Sequence, residues 1–195
     1  MTLKKDNTIF CSVDIETDGP IPGDYSMLSI GAVAFAKDGV EVSSFYCTLN
    51  PLPDARQHPD TMKWWGNHQD AWKEVQKRPV APATAMQLFY SWLKRLPGKP
   101  IFVGYPATFD FSFVYWYLIH FGHDSPFSFS AIDLKTYAYV LLDIPYNQMI
   151  KRNMPEEWFT GDKHSHHALE DAKEQGKIFI EMLKFRNKLI YNRSE

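Results

Sequence analysis

The chain has 195 residues, of which 45% are apolar and 23% charged, and its formal net charge is −2. That length and balance exclude a disordered or fibrous chain and predict a single domain over residues 1–195 with a sizeable core. The charge excludes a global basic field that would attract a polyanion, so any handling of nucleic acid must rest on local basic groups and bound cations.

The first predicted element is a strand over residues 8–16, TIFCSVDIE, which is rich in β-branched and aromatic side chains. Met1–Phe10 carries Lys4, Lys5 and Asp6, and the apolar run after it is cut off at Asp14, which is too short for a secretory leader. No apolar stretch is long enough to cross a bilayer, and a soluble cytoplasmic protein is expected. A turn-rich segment with Gly19, Pro20, Pro22, Gly23 and Asp24 follows. Residues 27–36 and 40–49 read as two further strands joined at Lys37-Asp38-Gly39, hence antiparallel. Cys11 and Cys47 lie in these strands and read as small buried apolar residues of a reducing compartment.

Prolines at 51, 53, 59 and 79 break the next stretch into short helices. Residues 83–96 have apolar side chains at helical spacing, ended by Pro97-Gly98. A short buried strand is predicted at 101–104. A helix over 107–121 is apolar nearly all round, which predicts deep burial. Residues 127–133 read as a strand and 134–142 as a helix. No periodicity is visible over 143–165, and an irregular stretch of that length is usually functional or mobile. A final helix is predicted from about 167 to 189, with Leu169, Ala172, Phe179, Ile180 and Leu183 inward. Three meandering strands followed by alternating strands and helices make an α/β protein with a mixed five-stranded sheet flanked by helices.

Three groups of residues carry chemistry. Asp14 and Glu16 alternate with Val13 and Ile15, so the two carboxylates share a face of the first strand. Side by side they repel, and a hard divalent cation with oxygen ligands fits them; a solvated strand end is the plainer reading of the pair alone. Asp110 lies between Phe109 and Phe111, with Phe113, Val114 and Tyr117 at helical offsets. Such a buried acid is capping a helix, paired, or holding a metal. Residues 164–171, HSHHALED, place a histidine cluster at a loop–helix junction ahead of Asp171. Helical spacing alone favours His167 as the partner of Asp171, four residues on.

Together Asp14-Ile15-Glu16-Thr17, Phe109-Asp110 and His166-x-Ala168-Leu169-x-Asp171 resemble the three motifs of the DEDDh exonucleases. That group includes ribonuclease T, oligoribonuclease and the proofreading subunit of bacterial DNA polymerase. The likeness spans positions 9–180. It implies a ribonuclease H-like fold and a 3′-5′ exonuclease acting on 3′ ends of single-stranded DNA or RNA. It also implies two Mg²⁺ or Mn²⁺ ions held by Asp14, Glu16, Asp110 and Asp171, with release of nucleoside 5′-monophosphates. Against helical spacing, it selects His166 over His167 as general base. Dimers are common in the group, so a homodimer is an expectation without a legible interface. The chain departs from the group where His-Asn often precedes the third acid and Gly104-Tyr105-Pro106-Ala107-Thr108 stands instead.

Several residues carry two readings. Trp64, Trp65 and Trp72 are either core or a stacking surface for terminal bases. Thr17, Met27 and Leu28 are substrate-contact candidates by the same resemblance, with Leu28 equally readable as core. Asp133 reads as a helix cap or a support, not a ligand. Lys151, Arg152 and Lys163 are solvated charges or phosphate contacts. An oligoribonuclease devoted to very short RNA is the nearest alternative function, and a non-catalytic nucleic-acid-binding module the more distant one.

Overall fold

The computed structural model describes residues 7–159 and 166–192. The β-branched run at the start forms β1 (Thr8–Thr17), followed by β2 (Met27–Phe35) and β3 (Glu41–Thr48). β1 and β2 are antiparallel, as are β2 and β3. Gly39 closes the second hairpin at φ +91°, a conformation that favours glycine, and Val40 N–H donates to Asp38 Oδ1 at 3.1 Å. β4 (Lys99–Gly104) and β5 (Ala131–Asp133) add in parallel, giving the order β3-β2-β1-β4-β5.

Helices cover both faces. Ile9, Cys11, Val13 and Ile15 of β1 point towards α3 (Pro82–Lys94) and α4 (Ala107–His120), meeting Met86, Phe89, Phe113 and Tyr117. Val33, Phe35 and Val103 belong to the opposite core, with α5 (Leu134–Leu142) and α6 (Ala168–Asn192). Ala172, Phe179, Ile180 and Leu183 of α6 are buried there as predicted, each large side chain contributing roughly 1.5–3 kcal/mol. α1 (Pro59–Gly66) and α2 (Gln69–Val75) form a hairpin at the end of the sheet, packing Trp65 and Val75 on Leu28. Cys11 is buried and Cys47 partly so, both as free thiols.

Three expectations change. α4 is not buried all round. Phe113, Val114, Tyr117 and Leu118 are covered, whereas Ile119 is 47% exposed, because an outer-layer helix has a neighbour on one face only. The fifth strand pairs over three residues rather than seven. A turn closed by Ser128 N–H on Ser125 C=O, with Ser128 at φ +65°, breaks the extended run and folds Phe127 into the core. Residues 143–159 are an irregular but packed connection. Three 3₁₀ turns, Tyr146–Gln148, Lys151–Asn153 and Glu156–Trp158, are anchored by buried Met149, Met154 and Trp158. Lys163, His164 and Ser165 lie outside the described residues. No described helix is long and apolar enough to cross a membrane.

Candidate active site

The site grows from the end of β1 that β4 does not cover. The β1–β4 ladder stops at Ser12↔Val103. Beyond it, the backbone groups of β1 on that edge need other partners. Two side chains supply them. Gln175 Nε2 of α6 donates to the Val13 carbonyl at 2.7 Å, and the Ile15 N–H donates to the Asp110 carboxylate of α4. The strand end is thereby tied to one helix from each face of the sheet. Asp133 supports the same corner: it caps α5, accepting from Thr136 N at 2.7 Å, and accepts from Ala107 N at 2.9 Å where α4 begins.

Asp171 reaches this corner because α6 approaches the sheet at backbone distance. Gly31 of β2 is the cross-strand partner of Asp14. A Cβ on Gly31 would lie 2.2 Å from Ala168 C and Leu169 N, so only glycine admits the first turn of α6. Gly176 makes a similar close approach about two turns further along α6, where a Cβ would lie 2.3 Å from Phe35 Cε2. Asp171 falls between the two contacts.

Four acids converge as a result. Asp110 and Asp171 are each 4% exposed, and Asp14 and Glu16 are partly buried. Burial raises the Asp14 pKa most, and the charges of Asp110, Glu16 and Asp171 raise it further; Lys151 opposes them. Burial, then Asp171 and Asp110, push Glu16 up to about 8. Burial raises Asp110 too, although its backbone hydrogen bonds pull the other way. One oxygen each of Glu16 and Asp171 and a ring nitrogen of His166 lie within 4.8 Å of one another. Carboxylates crowded until they resist ionisation are the donor set a hard divalent cation relieves, so these residues fit such an ion.

His166, not His167, therefore lies with the acids among the described residues. His166 takes φ +54° just before α6, which turns the two successive side chains apart. The His166 ring stands edge-on to Trp64 (4.8 Å) and to His68 (4.8 Å), while Trp64 and His68 stack at 4.0 Å. His167 stacks on Tyr46 at 4.4 Å, and its Nε2 is 3.7 Å from Glu74 Oε1. The four-residue spacing of His167 and Asp171 does not decide the partner, because His167 precedes the helix rather than belonging to it.

The substrate-contact candidates divide by whether they reach the cavity beside Glu16. Thr17 and Trp64 line a cavity of about 360 Å³ beside Glu16, with Gly19, Pro20, Thr61 and Phe109. Met27 is fully buried against α4, with its N–H bonded to Tyr117 Oη at 2.7 Å. Trp65 is 1% exposed, and its indole N–H donates to the Thr17 carbonyl at 2.9 Å. Leu28 is 4% exposed beneath it. Met27, Leu28 and Trp65 are thus buried in the core, and Trp65 braces the strand end that carries Glu16. A second cavity, of about 240 Å³, adjoins the acids and is lined by Asp14, Tyr105, Lys151, Asp171 and Gln175. Sequence reasoning missed Gln175 and Gly31. Gln175 stands four residues after Asp171, a spacing that places both on one helix face. Gly31 is a glycine inside a strand, itself a sign of close backbone approach.

The chain matches the family model described as the 3′-5′ exoribonuclease Rv2179c-like domain over residues 10–183. It is 34% identical over 198 residues to the 3′-5′ DNA exonuclease Cap18 of Escherichia coli, covering 96% of this chain and 99% of that protein. Among solved structures, it resembles the nuclease domain of 3′hExo, a DEDDh family member bound to rAMP. The TM-score is 0.66 at 14% identity, over 93% of this chain and 94% of that one. It also resembles E. coli Exonuclease I in complex with a dT13 oligonucleotide, with a TM-score of 0.70 at 16% identity, over 95% of this chain and 43% of that one. Both structural likenesses concern the fold, which is the ribonuclease H-like fold of DEDDh exonucleases.

Proposed function

The chain belongs to the family of 3′-5′ exoribonuclease Rv2179c-like domains, and from this premise we propose a metal-dependent hydrolase that shortens single-stranded nucleic acid from its 3′ end and releases nucleoside 5′-monophosphates. The convergence of Asp14, Glu16, Asp110 and Asp171 beside His166 is the observation that carries the proposal. In it, Asp14, Glu16, Asp110 and Asp171 hold two divalent cations, Mg²⁺ or Mn²⁺. Bound there, such ions would neutralise the cluster and would supply charge stabilisation to the phosphoryl oxygens.

The chain's own residues do the rest. Trp64 and Phe109 line the cavity beside Glu16 and hold the terminal nucleotide there, in company with Thr17 and Gly19. His166 takes the proton from the attacking water at its ring nitrogen nearest the acids. Its ring is held edge-on by Trp64 and His68, so it meets the water in one orientation. Gln175 and Trp65 fix the end of β1 through its Val13 and Thr17 carbonyls, which keeps Asp14 and Glu16 in place.

The test is incubation of single-stranded DNA and RNA, labelled at the 5′ end, with Mg²⁺, Mn²⁺ or chelator, resolving products by length. A ladder retreating from the 3′ end with metal, and none with chelator, is expected. Asp14→Asn and Asp171→Asn abolish it while the thermal melt persists, and His166→Ala is far more damaging than His167→Ala. Full activity in chelator or in either aspartate variant would refute the proposal.

A further inference from the structure

We infer that Lys151 is a substrate-positioning residue that holds the backbone phosphate on the 5′ side of the penultimate nucleotide, in the cavity it shares with Asp14, Asp171 and Tyr105. This inference rests on the exonuclease reading of the same site. Two cavities flank the acids. One is lined by Glu16, Thr17 and Trp64, the other by Asp14, Asp171, Tyr105 and Lys151. A strand whose last nucleotide fills the first cavity passes its scissile phosphate over the acids and enters the second with its next nucleotide. The next phosphate along then arrives in the second cavity.

That cavity meets an anion with one ammonium group. Lys151 is the one lysine or arginine among the described residues lining the two cavities. Its backbone is fixed, because its 3₁₀ turn is bracketed by the buried side chains of Met149 and Met154. Its ammonium pairs with Glu174 at 2.9 Å and stands 5.7 Å from the centre of the Tyr105 ring. Glu174 is three residues beyond Asp171, so the helix that delivers the acid also aims the lysine. An ammonium has three N–H donors, and one bond to Glu174 leaves others for a phosphate. The Lys151 side chain is 32% exposed, so the group is reachable, while that of Glu174 is 10% exposed and stays as its anchor. The Tyr105 ring, half-buried beside it, offers a face to the penultimate base.

Anchoring of Glu174 alone would explain the ion pair without any substrate contact, and the two roles separate experimentally. Dinucleotides with and without a 5′-phosphate are compared as substrates, since only the former carries the phosphate in question. Wild type is expected to favour the phosphorylated dinucleotide about tenfold in kcat/KM, the effect of one partly exposed charge-assisted contact. Lys151→Met loses this preference and Lys151→Arg retains most of it. Glu174→Gln breaks the same pair but keeps the ammonium, so it keeps the preference. A second readout is binding of a short labelled single-stranded oligonucleotide in chelator across a salt series. There Lys151→Met lowers the slope of log affinity against log salt by roughly 0.7, one phosphate contact on a single strand. A preference that survives in Lys151→Met, or is lost equally in Glu174→Gln, overturns the inference while leaving the exonuclease reading intact. A wild-type protein that shortens neither dinucleotides nor oligonucleotides overturns both.

Discussion

Replacing Glu16 by Gln should stabilise the metal-free protein in alkali and leave it unchanged in acid. Glu16 titrates near 8 in the folded chain, against 4.5 for the ordinary group, chiefly because it is buried and then because Asp171 and Asp110 face it. A raised carboxyl pKa means that the folded state holds its proton more tightly than the unfolded state. The associated stability is complete below pH about 4.5 and is lost as pH climbs through about 8. The displacement corresponds to about 5 kcal/mol as a ceiling, and partial access of Glu16 to solvent reduces it to a few. Gln cannot ionise and has nearly the same shape. In chelator, wild type and Glu16→Gln should unfold at similar urea concentrations near pH 5, and near pH 8.5 the variant should be more stable by roughly 2–4 kcal/mol. Saturating Mn²⁺ should restore the wild type, by about 2.7 kcal/mol at a hundred times its dissociation constant, and restore the variant less. Urea unfolding at the two pH values, with and without metal, measures all four quantities. A wild type equally stable at both pH values in chelator, or a variant less stable than wild type in alkali, would refute the electrostatic account of the cluster.

Other perturbations test the scaffold. Gly31→Ala drives a Cβ into the backbone of α6 and should cost about 2 kcal/mol or more by thermal melt, together with activity, because Asp171 moves. Gly66→Ala, where nothing lies within 4 Å, should be neutral or slightly stabilising in the same assay. Gln175→Leu strips the Val13 carbonyl of its partner and should cost about 1–3 kcal/mol in urea unfolding; an unchanged midpoint would mean that another group bonds it. Trp64→Ala should raise KM for oligonucleotides about tenfold or more through the loss of one stacking surface, with circular dichroism unchanged.

Local pattern was enough for much of this molecule. Alternation along β1 placed Asp14 and Glu16 on one face and Val13 and Ile15 on the other, as the core shows. Asp-Gly at 38–39 marked the hairpin, and an acid inside the apolar run at 109–111 marked Asp110. What remained hidden depends on distant contacts or on one backbone angle. Trp64 and Trp65 are identical in sequence terms, yet one faces a cavity and the other bonds the Thr17 carbonyl, because α1 packs on the far end of β1. The choice between His166 and His167 turns on a positive φ at His166 that no periodicity encodes. The exposed side of α4 depends on there being no further layer beyond it, and the short fifth strand on a turn at Ser128.

Gly31 and Gly176 carry a consequence for how this site tolerates change. They let main chain rest on main chain and aromatic edge at two points along α6, on either side of Asp171. A helix seated in this way is located by notches rather than by the volume of its apolar side chains. Phe179, Ile180 and Leu183 can therefore exchange for residues of similar bulk, altering stability by small amounts, without sliding Asp171 along β1 or rotating it away from Asp14. The spacing of the acids is thus decoupled from drift in the core, and it should be lost abruptly only when either glycine gains a side chain.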